Sequence, residues 1–353
     1  MTNFAGTLLL CPMVRSFGGI AQYARQVIEA PAPAPVDVLG YGRAPRSADL
    51  PSNARLLREP AQKTEFVLQL AARLPLRRYG QIVVAHLGLL RALRLVRIPA
   101  GARVFLMLHG MEAWIGVPHP SSLSVVTDVV STTRYTRELF AANNGRWLRR
   151  DVRHHVVPLT AGSRVESHGV AGWPTRARRR IVCVSRLTRD EPLKGIATLL
   201  DAMSFLPSDS WELVVIGDGN ARTDYVARAV HSGVGDRVHF LGYLSDEEKL
   251  RQISEADVFA LPSAQEGFGI VFLEAMALGR PCVGAAAGAL PEVLRTPGGS
   301  TAPYGDAGAL AEAIRTAVAE CRHGNTSAEA IREGYFQRYS SARFRSAWRQ
   351  ALR

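Results

Sequence analysis

The sequence predicts an α/β protein made of two Rossmann-like domains facing each other across a cleft. Three observations carry this. The chain has 353 residues, more than one hydrophobic core normally organises. Short apolar runs alternate with helix-length segments, the pattern of a parallel sheet with helical crossovers. The pattern then starts anew at Ile181-Val-Cys-Val-Ser-Arg186, after a basic stretch at 169–180 that contains Pro174 and reads as an interdomain linker. The expected division is 1–168 for the first domain and 169–340 for the second.

Composition sets further bounds. A hydrophobic content of 47% is ordinary for a globular chain. No apolar run approaches the length needed to span a bilayer. The start, Met1-Thr-Asn-Phe, lacks a basic leader region, so a cytoplasmic protein is expected. Cys11, Cys183, Cys282 and Cys321 lie far apart with no C-x-x-C, which predicts buried free thiols and no metal site. The net charge of +12 is uneven: residues 1–180 hold 25 Lys+Arg and 10 Asp+Glu, whereas 181–353 hold 18 and 21. A basic first half points to an anionic partner such as nucleic acid, an anionic membrane or a phosphate-linked acceptor. The alternative is a solvated basic face in an arginine-rich protein, since only Lys63, Lys194 and Lys249 are lysines.

In the first half, Thr7-Leu-Leu-Leu-Cys11 reads as a strand, followed by a turn through Gly18 and Gly19 and a helix over 20–30. Strands are expected at 36–39, 81–85, 103–108 and 155–158, and a helix at 62–74. Residues 87–98 read as an amphipathic helix with Arg91, Arg94 and Arg97 on one stripe, either lying on a membrane or simply solvated. His109 follows the strand 103–108, at a carboxyl end where ligands of open α/β sheets bind. A strand beginning at Val129 leads into a helix near Tyr135, with Thr132 or Ser131 as cap.

The second half repeats the theme. Strands are expected at 181–186, 211–216, 238–242, 258–261 and 281–284. Helices are expected from Lys194-Gly195 to 205, then at 222–232, 246–256, 270–278, 308–322 and 327–339. The most informative stretch is 262–281. A loop holding Glu266, Gly267 and Gly269 opens a helix that is apolar except for Glu274. The free N–H groups of its first turn, near Gly269 to Phe272, form a ready anion site. Side chains lean toward a helix's N-terminus, so Glu274 is expected to lean back toward that site. A lone Glu on such a helix is more often a satisfied core carboxylate; the loop glycines and Glu266 favour a binding site here.

Glu266-Gly-Phe-Gly269 with Glu274 resembles the E-x7-E element of retaining GT-B glycosyltransferases, especially family 4. Arg186 with Lys194-Gly195 resembles the family's Arg-loop-Lys-Gly pair, in the form with a longer loop. His109-Gly-Met-Glu-Ala-Trp114 resembles its His-Gly segment, Gly18-Gly19 its GG loop, and Gly288-Ala-Leu-Pro-Glu292 its Gly-Gly-x-Pro-Glu turn. The turn 159–164 departs from the family's Asn-Gly-Val-Asp pattern, and 298–302 is a poor copy of its next strand. The resemblance implies the GT-B fold, an acceptor-binding first domain, a donor-binding second domain, and a helix at 341–353 packing back on the first domain.

It also implies roles. Glu266 and the loop amides of Gly267, Phe268, Gly269, Ile270 and Val271 hold the donor sugar, and Glu274 holds the ribose. Arg186 and Lys194 clamp the diphosphate. Gly18, Gly19, Gly217 and Tyr243 complete the donor side. His109 contacts the sugar near the reacting carbon, and Glu112 and Arg134 face the acceptor. The sequence has no Asp-x-Asp, so fixed cations rather than a divalent metal are expected to stabilise the leaving group. The activity expected from the resemblance is retaining transfer of a hexose to a glycan or lipid-linked acceptor. The expected donor is GDP-mannose first and a UDP- or dTDP-sugar next, with no nucleic acid partner and a location in the cytoplasm or peripherally on the membrane. The alternatives are a non-catalytic GT-B protein that binds an anionic surface or nucleic acid, and a GT-B nucleotide-sugar epimerase.

Overall fold

The computed structural model describes residues 6–16, 19–30, 35–42, 49–75, 79–324 and 326–353. They fall into two compact units, Met1–Leu159 with Ala342–Arg353, and Thr160–Ser341. The strands of the first unit are β1 (Thr7–Pro12), β2 (Val36–Tyr41), β3 (Ala54–Arg58), β4 (Gln81–Val84), β5 (Arg103–Leu108), β6 (Asp128–Ser131) and β7 (Arg153–Val156). Those of the second are β8 (Arg179–Val184), β9 (Trp211–Ile216), β10 (Val238–Gly242), β11 (Val258–Leu261), β12 (Cys282–Ala285) and β13 (Gly299–Ala302).

Each set forms one sheet, in the orders β3-β2-β1-β4-β5-β6-β7 and β10-β9-β8-β11-β12-β13. All the strand pairings are parallel; β1, for example, lies between β2 and β4 with Thr7 opposite both Val36 and Gln81. Parallel strands are covered on both faces, which explains their apolar runs. Leu8 to Cys11, Phe105 to Leu108 and Val258 to Ala260 are fully buried. In both orders the strand sequence reverses beside the first strand, between β1 and β4 and between β8 and β11. Crevices at such reversals are where open α/β sheets bind ligands.

A buried aspartate stands at the opposite, amino end of each sheet. Asp128, the first residue of β6, accepts two hydrogen bonds from Arg103 (2.7 and 3.1 Å) and one from His155 (2.8 Å). Arg103 also donates to the carbonyls of Ala351 and Leu352, so it ties the C-terminal helix Ser341–Leu352 to the first sheet. Asp257, just before β11, accepts from the Arg180 amide (2.8 Å) and from Arg322 (2.5 Å).

Several expectations are corrected. Residues 160–168 belong to the second unit, because Glu166 accepts hydrogen bonds from Thr160 (3.1 Å), Tyr335 (2.8 Å) and the Ser341 amide (2.6 Å). Residues 169–178, read as a linker, lie within the second unit as the expected division has them, with Arg280 donating to the Ala171 and Gly172 carbonyls. The basic helix expected over 87–98 is only a 3₁₀ turn, Leu87–Leu89, and one short helix, Leu90–Arg94, after which Leu95 and Arg97 are exposed in irregular chain. Pro99 disfavours helix at Ile98, so the expected helix could not have run to its full length. The helix Arg134–Asn144 is capped by Thr133, which accepts from the Thr136 amide, and not by Thr132 or Ser131. Strand β3 was not foreseen: Leu56 and Arg58 lie exposed on an edge strand, so the segment lacks an apolar face. All four cysteines are buried free thiols, and among the described residues no helix is long and apolar enough to cross a membrane.

Candidate functional site

The second unit brings Arg186, Lys194, Glu266 and the start of the helix Ile270–Ala277 to the carboxyl ends of β8 and β11. Arg186 lies two residues past β8, and Glu266 five past β11. Glycine allows these loops to close on one another. Gly195 has φ +75°, and a Cβ there would meet the Pro262 carbonyl oxygen at 2.1 Å. Gly217 has φ +131°, and a Cβ would lie 1.9 Å from the Ser185 carbonyl oxygen. No side chain larger than hydrogen fits either approach. The Ala264 amide donates to the Leu193 carbonyl (2.8 Å), which joins the Lys194 loop to the Glu266 loop.

Lys194 Nζ donates to Glu266 Oε1 at 2.6 Å, and both side chains are largely buried. The pair lies near the buried Cys183 thiol of β8. Burial pushes that thiol up to about 12, with Glu266 adding to the rise and Lys194 opposing it. Arg186 is 72% exposed and pairs with Glu191, a residue that sequence reading did not single out. Its guanidinium is therefore accessible to an arriving anion. Phe268 is buried with its ring edge against Tyr339, 5.6 Å between centroids. Gly269 is the N-cap of the following helix at φ +80°, and no side chain caps it. The first N–H groups of such a helix have no acceptor within it, which suits Gly269, Ile270 and Val271 to an anion or polar hydroxyl.

Glu274 is only 3% exposed, and its Oε1 accepts from Lys249 Nζ at 2.9 Å. Its Oε2 is buried with no hydrogen-bond partner among the described residues. Burial raises this carboxyl above its ordinary range, and Lys249 opposes that rise. Lys249, which also reaches Asp246 Oδ1 at 3.2 Å, was missed as a site residue. Its signal in the sequence was its rarity as a lysine. Gly217 receives a second constraint through its amide, which donates to the Gly242 carbonyl (2.8 Å), and Tyr243 follows with 59% exposure.

The first unit holds the other candidates. His109 follows β5, and its Nε2 donates to the Ala85 carbonyl at the end of β4 (2.6 Å). Its ring meets Tyr23 edge-on at 5.3 Å. Burial lowers its pKa, against the opposing pull of Glu112. Because its partner there is a carbonyl, Nε2 carries a proton. Glu112 accepts from the His109 amide at 2.7 Å. Arg134 opens the helix Arg134–Asn144 on the surface, and Gly19 opens Gly19–Glu29. Gly18 lies outside the described residues.

Residues 178–320 match the family model described as Glycosyl transferases group 1. A phosphatidyl-myo-inositol mannosyltransferase of Mycobacterium leprae is 33% identical over 53% of this chain and 52% of its own length. A D-inositol 3-phosphate glycosyltransferase of Mycolicibacterium smegmatis is 37% identical over 46% and 38%. A GDP-mannose-dependent alpha-(1-6)-phosphatidylinositol monomannoside mannosyltransferase of Mycobacterium tuberculosis is 32% identical over 56% of each. The matched part is thus between 38% and 56% of these relatives' lengths. Among solved structures, a sucrose-phosphate synthase from Thermosynechococcus elongatus superposes with a TM-score of 0.76 at 22% identity, covering 98% of both chains. Anabaena HepE in complex with UDP and glucose gives 0.72 at 19%, again over 98% of both. The chain has the GT-B fold of two Rossmann-like units, and its residues 178–320 are similar to the group 1 glycosyltransferases.

Proposed function

We propose that this chain is a retaining, nucleotide-sugar-dependent glycosyltransferase that moves a hexose, mannose first, to a glycan or lipid-linked acceptor. The observation that carries this reading is the Lys194–Glu266 pair, set at the sheet's reversal point beside an uncapped helix N-terminus. Lys194 and the exposed Arg186 are suited to the diphosphate, and Glu266 with the amides of Gly267 to Val271 to sugar hydroxyls. In the reaction the bond between the anomeric carbon and the diphosphate oxygen breaks. A bond from the acceptor oxygen forms on the same face, and the acceptor proton leaves with the diphosphate. Charge gathers on the departing diphosphate, where fixed cations stabilise the transition state more than the ground state. Mannose as the sugar and GDP as the carrier are supported by the mannosyltransferase names of relatives. Those names also favour an acceptor at a lipid surface, which fits a protein that acts peripherally at a membrane. His109, Glu112 and Arg134 are proposed for the acceptor side, and no divalent metal is required.

The test is incubation with GDP-mannose, UDP-glucose and other nucleotide sugars, with and without EDTA. Slow donor hydrolysis, and an α-linked product from an α-linked donor by NMR, are expected and should survive EDTA. No turnover of any donor would favour a non-catalytic binding protein. Conversion of the sugar to its epimer, with no sugar transferred to an acceptor or to water, would favour an epimerase. Loss of activity in EDTA that Mg²⁺ or Mn²⁺ restores would overturn the fixed-cation mechanism.

A further inference from the structure

The chain has three lysines, and two of them each donate to one of the two site glutamates, Lys194 to Glu266 and Lys249 to Glu274. Elsewhere the buried carboxylates are served by arginine, and the geometry differs. Arg55 grips both oxygens of Asp37 at 2.7 Å each, and Arg103 grips both oxygens of Asp128. A guanidinium fork matches a carboxylate bidentately, whereas an ammonium is a point charge that takes one oxygen. Lys249 takes Glu274 Oε1 and turns its second hydrogen bond to Asp246, while Oε2 is left buried with no partner among the described residues.

Stability does not account for this arrangement. A sealed, unsatisfied carboxylate oxygen costs about 1–3 kcal/mol, and well-packed apolar residues commonly replace a buried ion pair without loss. The helix around Glu274, Ile-Val-Phe-Leu-Glu-Ala-Met-Ala, is otherwise apolar.

We infer that Lys249 is a positioning residue of the nucleotide site: it anchors Glu274 by one oxygen so that the other accepts hydrogen bonds from a ligand's vicinal diol. This rests on the nucleotide-sugar reading above, in which that diol is the ribose of a nucleoside diphosphate. It makes Lys249 specific as lysine, because arginine would occupy both oxygens.

The experiment is calorimetric titration of GDP, UDP and their 2′-deoxy forms into the wild-type protein, Lys249→Arg and Lys249→Met, with the unfolding midpoint of each variant recorded. The wild type should prefer the ribonucleotide by roughly tenfold or more, the effect of a missing hydroxyl at a buried hydrogen-bonding group. In folded Lys249→Arg the preference should fall to within about threefold of unity, with donor KM raised and kcat nearly unchanged. Lys249→Met should give the same loss of preference, and it serves where the arginine variant does not fold. A variant that keeps both its fold and the wild-type preference would overturn the inference, since Lys249 would then only support the helix. A wild type that binds ribo and deoxy forms equally would overturn the inference alone, whereas one that binds neither nucleotide would sink the nucleotide reading and the inference with it.

Discussion

The two units share a sheet order and a buried aspartate at the amino end of the sheet, yet their carboxyl ends differ. In the second unit that end carries two lysine–glutamate pairs and an exposed arginine. In the first it carries a histidine oriented by a backbone carbonyl, with Glu112 held against the histidine's own amide. The amino-end aspartates are served by arginine, whereas Lys249 at the other end leaves Glu274 Oε2 without a partner among the described residues. One topology therefore carries two kinds of charge: one fastens strands together, the other is the kind proposed above to meet a ligand.

The largest expected effect tests the fastening kind. Asp128→Asn leaves Arg103 and Arg153 without their carboxylate, and losing one partner of a buried ion pair costs about 3–5 kcal/mol. Urea unfolding should show this loss, while nucleotide binding in the second unit is unchanged. Burial alone would raise the Asp128 carboxyl, but His155 and Arg103 hold it well below its ordinary range. The stability it contributes is therefore present above the ordinary carboxylate pKa and disappears as pH falls into the acid range. An acid-unfolding curve of the Asn variant that matches the wild type would break the comparison.

The next effect tests the available kind. Lys194→Ala should lower kcat/KM by about 2–4 kcal/mol, the scale of one removed electrostatic stabiliser, and Arg186→Ala should fall at the lower end of that range because it is more exposed. Urea midpoints of both variants should move far less than that of Asp128→Asn. Gly195→Ala follows. Its Cβ would collide with the Pro262 carbonyl at positive φ, costing about 1–3 kcal/mol and displacing Lys194 from Glu266. Near-normal donor KM in that variant would show that the loop closure is unnecessary. The smallest effect belongs to the first unit's surface. Arg91, Arg94 and Arg97 are exposed, and a basic side chain close to an anionic lipid surface contributes on the order of 1 kcal/mol, screened by salt. Replacing all three with Gln should weaken sedimentation with anionic vesicles and spare nucleotide binding. Indifference of the wild type to such vesicles at low salt would leave these arginines as solvated surface.

Much of this contrast was legible in the sequence. Strands buried on both faces announce themselves as apolar runs, so β1, β5, β9 and β11 were readable, while the edge strand β3 was not. The 87–98 segment misled because arginines at three-residue spacing imitate a helix face, and the turn before Pro99 ends the helix anyway. Glu266, Lys194 and Gly195 were visible because close approach and charge neutralisation demand particular residue types. Lys249 and Glu191 were not, because a partner supplied from a distant helix or from within a loop leaves no local pattern. Glu274 was seen, but its partner Lys249 was not, because that contact is fixed only when the helix Asp246–Ser254 packs nearby.

The central claim is that the carboxyl ends of β8 and β11 hold a nucleoside diphosphate through Lys194. Calorimetric titration of GDP and UDP into the wild type and Lys194→Ala at one fixed salt concentration tests it most directly. The account predicts that one nucleotide binds the wild type and that the variant binds it at least tenfold more weakly while still unfolding cooperatively. Equal affinity in a folded Lys194→Ala protein would contradict it.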